Sequence, residues 1–175
     1  MNDTTANRLS LPPYTIFPEI IGDQILLRQI VSTDVIDIIE ISYYNAVRAT
    51  TIQEASNMQA AINKDYNNGN SIHWGIADKL TNNILGTCGY YRGLATGEGE
   101  LGCVLLPQYR GQGYMTAAML LAIEYGLKTI GLKRIWARTN RQNQKAINLL
   151  EKLSFSKVAD SEADETEYEL RPNVR

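Results

Sequence analysis

The sequence predicts an α/β (α+β) fold: a single domain on one mixed, twisted sheet with helices on both faces. Three observations carry this reading. Strand-like and helix-like runs succeed one another in the order β-α-α-β-β-β-α-β-α-β-β. Three of the strand runs are consecutive between Ser71 and Leu106, separated only by polar or glycine-containing turns, which is an antiparallel meander. Helix-bearing units follow the meander, and that combination gives a mixed sheet covered on both sides.

The elements follow in order. Residues 1–20 are polar, with Pro12-Pro13 and Pro18, and read as an extended arm ahead of a domain spanning residues 21–175. Gln24 to Gln29 is a short strand. Ser32-Thr33-Asp34 supplies a helix cap before Val35, Ile36, Ile38, Ile39 and Ile41. Isoleucines are poor helix formers, so that helix rests on cap and spacing. Thr51-x-x-Glu54 is a capping box opening a second helix, which runs to about Tyr66 and ends at Asn67-Asn68-Gly69-Asn70. Ser71 to Ala77 and Ile84 to Tyr91 form a hairpin around the turn Lys79 to Asn83. Gly93 to Gly99 is a flexible turn, and Glu100 to Leu106 is the third strand of the meander. A helix from about Tyr114 to Thr129 closes at Gly131. Lys133 to Thr139 is a strand and Asn143 to Leu153 a helix. Phe155 to Ala159 and Glu167 to Leu170 are terminal strands around an acidic turn.

The totals exclude several classes. The 175 residues suit one domain with a real core. A net charge of −2 and a pI near 5.5 argue against a dedicated nucleic-acid partner. No apolar run is long enough to span a bilayer, and the polar N-terminus lacks a leader pattern, so no membrane association and a cytoplasmic location are expected. Cys88 and Cys103 are the only cysteines; both lie in apolar strand runs and read as reduced core residues. With a single histidine beside them they do not make an ordinary structural zinc site, and no metal is expected.

The most informative stretch is Pro107-Gln108-Tyr109-Arg110-Gly111-Gln112-Gly113-Tyr114-Met115-Thr116. It joins a buried-strand run, Leu101 to Leu106, to a helical run beginning at Ala117. A strand, a tight glycine turn and a helix start aim several free N–H groups and the positive end of the helix dipole at one place. An anion fits there without any side chain, and Arg110 adds a fixed charge. The stretch has no Gly-Lys-Ser/Thr for a Walker loop, and Gly111-x-Gly113-x-x-Thr116 lacks the third glycine of a dinucleotide fingerprint. Taken alone, it reads equally well as a plain strand-to-helix turn.

The stretch resembles the acyl-CoA loop of the GNAT N-acetyltransferases, whose signature is Arg/Gln-x-x-Gly-x-Gly/Ala. Here it is Arg110-x-x-Gly113-x-Met115, with Met115 in place of the usual small residue; the shifted register Gln108-x-x-Gly111-x-Gly113 matches literally. Pro-x-Tyr-Arg-Gly-x-Gly-Tyr is how the loop looks in the ribosomal-protein (RimJ/RimL-like) branch. The likeness extends from about Gln24 to Pro172. It includes Ile72-His73-Trp74-Gly75-Ile76-Ala77, Ile84-Leu85-Gly86-Thr87-Cys88-Gly89 and Glu100-Leu101-Gly102. It also includes Asn143-x-x-Ala146-x-x-Leu149-Leu150-Glu151-Lys152-Leu153-x-Phe155, against the usual Asn-x-x-Ser-x-x-Leu-x-Glu-Lys-x-Gly-Phe.

The resemblance implies a GNAT-like fold and an enzyme that moves an acetyl group from acetyl-CoA, its co-substrate, to a primary amine by direct attack in a ternary complex. The amine is a protein N-terminus or a small molecule. The pyrophosphate is expected on the backbone amides of Gly111, Gln112, Gly113, Tyr114, Met115 and Thr116, beside Arg110. The pantetheine arm is expected along Cys103, Val104 and Leu105, where the family's strand diverges from the next one. Asn143 matches a residue that holds that arm, and it also reads as a helix N-cap. A homodimer through terminal strands is a further family-level expectation.

For the proton-accepting base the candidate is Glu100, placed by alternation on the face of Gly102 and Val104. An exposed strand-start glutamate is the plain alternative, and Glu98 is a weaker competitor. The usual thiolate donors are missing: Leu150 stands for the family's Tyr and Ala146 for its Ser. Tyr90, Tyr91 and Tyr168 are the other phenols weighed. His73 reads as an ordinary strand residue on the face opposite Trp74, while Trp74 and Trp136 read as core. The acidic run Asp160 to Glu169 reads as a solvated turn that also has the charge to steer a cationic amine. Two rivals stand beside the enzyme: an acyl-CoA-binding module with little or no catalysis, and a structural domain whose loop binds no nucleotide.

Overall fold

The computed structural model describes residues 8–160 and 163–170. Its frame is an eight-stranded sheet in the order β1-β2-β5-β6-β7-β8-β10-β9, formed by β1 (Ile20–Ile21), β2 (Ile25–Arg28), β5 (Ile72–Asp78), β6 (Ile84–Tyr90), β7 (Glu98–Leu105), β8 (Arg134–Asn140), β9 (Phe155–Asp160) and β10 (Glu165–Leu170). A separate two-stranded ribbon, β3 (Tyr43–Tyr44) and β4 (Val47–Arg48), stands beside it. Every pairing in the large sheet is antiparallel except β7 with β8. The sheet is therefore mixed, and the single parallel contact sits at its centre.

Three α-helices flank it: α1 (Ile52–Asn67), α2 (Tyr114–Tyr125) and α3 (Gln144–Lys152). Helices α2 and α3 bury Ala118, Met119, Ala122 and Leu150 in the main core, with Trp74, Tyr90, Leu101 and Ile135 of the sheet. On the opposite face the segment Ser32–Ile41 and α1 form smaller clusters around Ile30, Ile38 and Ile41 and around Val35, Ala49 and Ala55. Residues 8–19 contain neither helix nor strand and lie against the main body. Pro18 accepts a hydrogen bond from Trp74 Nε1 at 3.0 Å, and Tyr14 donates its backbone N–H to the Tyr66 hydroxyl at 3.0 Å.

One element is corrected. Ser32–Ile41 is a 3-10 helix, and Val31 stands at its N-cap instead of the Ser-Thr-Asp cap. Asp34 is occupied elsewhere: it accepts from Arg28 Nη1 at 2.7 Å and Nη2 at 2.9 Å, and from the backbone N–H of Val31 at 2.8 Å. The same guanidinium reaches Asn82 Oδ1 at 2.8 Å, so this pair ties the 3-10 segment to the β5–β6 turn. The Arg28 side chain holds Asp34 below the usual carboxylate range against the opposing effect of burial.

Other boundaries move by a few residues. Strand β7 begins at Glu98, because Gly93 and Gly97 turn the chain tightly and Glu98 donates back to the Gly93 carbonyl at 3.0 Å. Helix α2 gives way at Gly126 to a wider turn through Ile130, sealed by the Gly131 N–H on the Gly126 carbonyl at 3.0 Å. Half of the capping box forms at Thr51, whose hydroxyl accepts from the Glu54 N–H at 3.1 Å, while the Glu54 carboxylate passes over Thr51 to accept from the Thr50 N–H at 2.7 Å and hydroxyl at 2.8 Å.

Candidate active site

The centre of the sheet is where the site is built. Strands β7 and β8 keep parallel register only from Glu98–Arg134 to Glu100–Trp136. From Leu101 onward β7 pairs with β6 alone, and from Ala137 onward β8 pairs with β10 alone. The two strands thus diverge, leaving facing backbone edges through Cys103, Val104 and Leu105. At the far end of that divergence Pro107–Tyr109 makes one 3-10 turn, and the loop runs into α2 with Gly113 at the N-cap.

Gly113 has φ of 87° and no Cβ-range neighbour within 4 Å, a left-handed geometry that disfavours any side chain. Among the described residues, none of the N–H groups from Gly111 to Thr116 meets a backbone or side-chain acceptor. That is the donor array an anion needs at a helix start. Arg110 lies at its rim, with Nε on the Leu105 carbonyl at 3.1 Å, fixing the loop to the end of β7. Asn143 caps α3, its Oδ1 accepting from the Ala146 N–H at 3.2 Å. The array, the glycine and the unpaired β7 edge fit a phosphate-bearing molecule with an extended amide arm.

On the α1 side of the sheet a cavity of about 610 Å³ opens. Its wall is formed by Ile38, Ile41, Tyr43, Met58, His73 and Tyr91, among others, and Glu100 enters it from β7. Glu100 is therefore both the last β7 residue in register with β8 and a wall of this cavity. Its side chain is only 12% exposed. Arg92 Nε lies 2.8 Å from Oε2, an ion pair outside hydrogen-bonding geometry, so the oxygen is charge-compensated yet unbonded. Desolvation raises the Glu100 carboxyl above its ordinary value, and Arg92 partly opposes that rise. A carboxylate shifted upward is a better proton acceptor near neutrality.

Two more groups on this face share the same character. His73 Nδ1 and Trp136 Nε1 are buried without a hydrogen-bond partner, and with Glu100 Oε2 they are the three such side-chain atoms among the described residues. His73 aligns with Gly89 and Gly102 across β5, β6 and β7, and Trp136 is the register partner of Glu100. Burial lowers His73 to about 4, so the imidazole is neutral at ordinary pH. The Tyr91 ring lies 5.4 Å from it and covers Gly102, where a Cβ would overlap the ring. Tyr91 keeps 38% of its surface exposed, yet desolvation around its hydroxyl holds the phenol protonated.

The remaining candidates fall into place. Glu98 opens β7 and is taken by Arg134 at 3.2 Å, which also binds Glu167 at 2.6 Å and Glu169 at 2.8 Å. Within the acidic run, Glu167 and Glu169 are paired with Arg134 and Arg138, and Asp160 with Lys157 and Arg141. Leu150 is 4% exposed in the main core, and Tyr90 and Tyr168 are buried there as well. Sequence reasoning missed Arg92, which the tight 93–97 turn brings back onto Glu100, and the Tyr43–Arg48 ribbon that walls the cavity. An arginine facing a glutamate across a glycine turn was the available signal for the first. No described group of His, Cys, Asp and Glu residues is arranged to hold a metal, and no described helix is long and apolar enough to cross a membrane.

The class that this sheet and site define is matched directly. The model of the acetyltransferase (GNAT) domain family aligns with residues 24–156, and the chain belongs to the GNAT family of acetyltransferase enzymes. Among its relatives, the uncharacterized N-acetyltransferase p20 of Bacillus licheniformis is 32% identical over 116 residues, covering 66% of this chain and 65% of that one. The uncharacterized N-acetyltransferase YoaA of Bacillus subtilis is 28% identical over 151 residues, covering 81% and 85%. In fold, the chain is similar to a candidate ribosomal-protein-serine acetyltransferase from Vibrio cholerae, with a TM-score of 0.74 over 88% of this chain and 97% of that one at 18% identity.

Proposed function

We propose that the protein transfers an acetyl group from acetyl-CoA to a primary amine by direct attack in a ternary complex. The observation that carries this reading is the position of Glu100. It stands where the divergence of β7 from β8 meets the 610 Å³ cavity, so a donor along β7 and an acceptor in the cavity come together at one carboxylate.

The amides of Gly111 to Thr116, with Arg110, hold the pyrophosphate, and the edge of Cys103 to Leu105 that β8 leaves unpaired holds the amide arm, short of the Leu105 carbonyl that Arg110 occupies. Asn143 caps α3 beside that arm. Acetyl-CoA supplies an activated acyl group whose thiolate is a tolerable leaving group. Holding both partners in place accounts for most of the rate, because a bimolecular step becomes effectively unimolecular. Glu100 accepts the amine proton, directly or through one water, and its desolvated site keeps it basic enough to do so. Of the three phenols considered, Tyr91 alone lines the cavity, and because burial raises its phenol it is a poor donor, so the thiolate leaves unprotonated or takes its proton from water. The acceptor is a protein N-terminus or a small-molecule amine.

Thermal unfolding with acetyl-CoA, desulfo-CoA and NADH tests the cofactor half. A ligand at about 100 times its Kd adds about 2.7 kcal/mol to the native state, so both CoA ligands should raise the midpoint and NADH should not. Turnover of an amine panel then tests transfer. Binding of acetyl-CoA with no product from any amine would favour the binding-module alternative, to which the buried Leu150 lends support. No shift with either CoA ligand would overturn the proposal.

A further inference from the structure

Resting on that reading, we propose that the acceptor is an amine with a single positive charge and a flat aromatic or similarly apolar body next to the reacting nitrogen, and not a polycation. Charge decides the first half. The ionisable groups lining the cavity are the carboxylates of Asp65 and Glu100, the guanidinium of Arg92, three tyrosines and the neutral His73. Their sum at neutral pH is one negative charge. Both carboxylates already have partners: Asp65 Oδ2 accepts from the Tyr44 hydroxyl at 3.0 Å, and Glu100 is paired with Arg92 at 2.8 Å. One ammonium neutralises this lining. A second or third would enter the cavity without a counter-charge, and unpaired buried ions are strongly disfavoured.

The aromatic surface decides the second half. Tyr43 and Tyr91 are 49% and 38% exposed, the two aromatic residues among the exposed large apolar side chains, and both line this cavity. Tyr91 is not a loose side chain. Its ring rests on Gly102, where a Cβ would strike it, and packs against His73 at 5.4 Å. A ring backed by the sheet is a pre-ordered platform and loses little entropy on stacking. Gly102 lies two residues beyond Glu100 on the same face of β7, so the platform is roughly 7 Å from the carboxylate along the strand. That separation suits an aromatic ring joined to its amine by a short spacer. Ile38, Ile41, Met58 and Ile62 extend the apolar wall.

The test is calorimetric binding of phenethylamine, hexylamine and spermidine to the full chain without acetyl-CoA, followed by turnover of the same amines. Phenethylamine should bind about tenfold more tightly than spermidine. Tyr91→Leu should weaken phenethylamine about fivefold and hexylamine less than twofold, in line with an aromatic contribution near the middle of its usual range. Arg92→Ala, which takes the lining to two negative charges, should narrow the preference by improving spermidine binding. Far-ultraviolet circular dichroism checks that each variant is folded; if Tyr91→Leu is not, the wild-type ranking decides. Spermidine binding as tightly as phenethylamine, or no binding of any amine, overturns the inference. So does an equal loss of both monoamines in Tyr91→Leu. Binding in the predicted order without turnover supports the cavity's preference and contradicts the proposed acetyl transfer, so the two claims fail separately.

Discussion

The two faces of the central sheet bury polar groups in opposite ways. On the α2 side, Trp74 and Tyr90 are fully enclosed and each has a partner: Trp74 Nε1 donates to Pro18 O at 3.0 Å, and the Tyr90 hydroxyl donates to Ala122 O at 2.8 Å. On the α1 side, His73, Glu100 and Trp136 each bury a polar atom that has none. Buried polar atoms are satisfied where a fold is built for stability, and each exception calls for an explanation. Here the exceptions gather around the diverging strands and the cavity. The difference teaches that the same strands serve as core on one side and as chemistry on the other, with alternation along β5 and β7 separating the roles.

Substitutions can sharpen or break that contrast. The largest effect is expected at Trp74 on the packed face: Trp74→Ala should lower unfolding free energy by about 3–5 kcal/mol, measured by urea denaturation. Tyr90→Phe, on the same face, should cost about 1 kcal/mol in the same experiment through the lost hydroxyl bond to Ala122. On the open face the signatures are in pH. His73 is lowered to about 4 in the folded chain from an ordinary 6.5, so its contribution to stability is present above 6.5 and is lost as pH falls toward 4. An NMR titration should show the His73 imidazole staying neutral down to about pH 4, and His73→Gln should flatten stability in that window. The smallest effect concerns Arg92, which pulls the Glu100 carboxyl down. Arg92→Ala should move the acid limb of the rate profile to higher pH; a limb that stays in place would break the link between that pair and the chemistry.

Much of this contrast was legible in the sequence. Alternation placed His73 opposite Trp74 and Glu100 with Gly102, and the β5–β6 hairpin fell where Lys79 to Asn83 put it. What could not be read came from contacts across the chain. The 32–41 segment starts earlier than its cap residues indicate, because Asp34 stands at the third position and its carboxylate reaches back to the Val31 N–H as well as to Arg28. The Tyr43–Arg48 ribbon turns at Asn45 and Ala46, both at positive φ, and an alanine gives no turn signal. Arg92 and Tyr91 gain their meaning only from the register that sets them against Glu100 and Gly102.

The central claim is that Glu100 accepts the amine proton where donor and acceptor meet. Burial raises its carboxyl, so ionisation opposes folding: stability is greatest below the unfolded carboxylate's range and declines as pH rises through the folded value. Removing the charge should therefore spare the fold while removing the base. The direct measurement is the pH profile of kcat/KM for wild type and Glu100→Gln, with acetyl-CoA binding and melting temperature recorded for both. The account predicts a roughly hundredfold loss with the acid limb abolished, unchanged acetyl-CoA affinity and a melting temperature at neutral pH no lower than wild type. A Glu100→Gln enzyme with the wild-type rate and the same acid limb would contradict it.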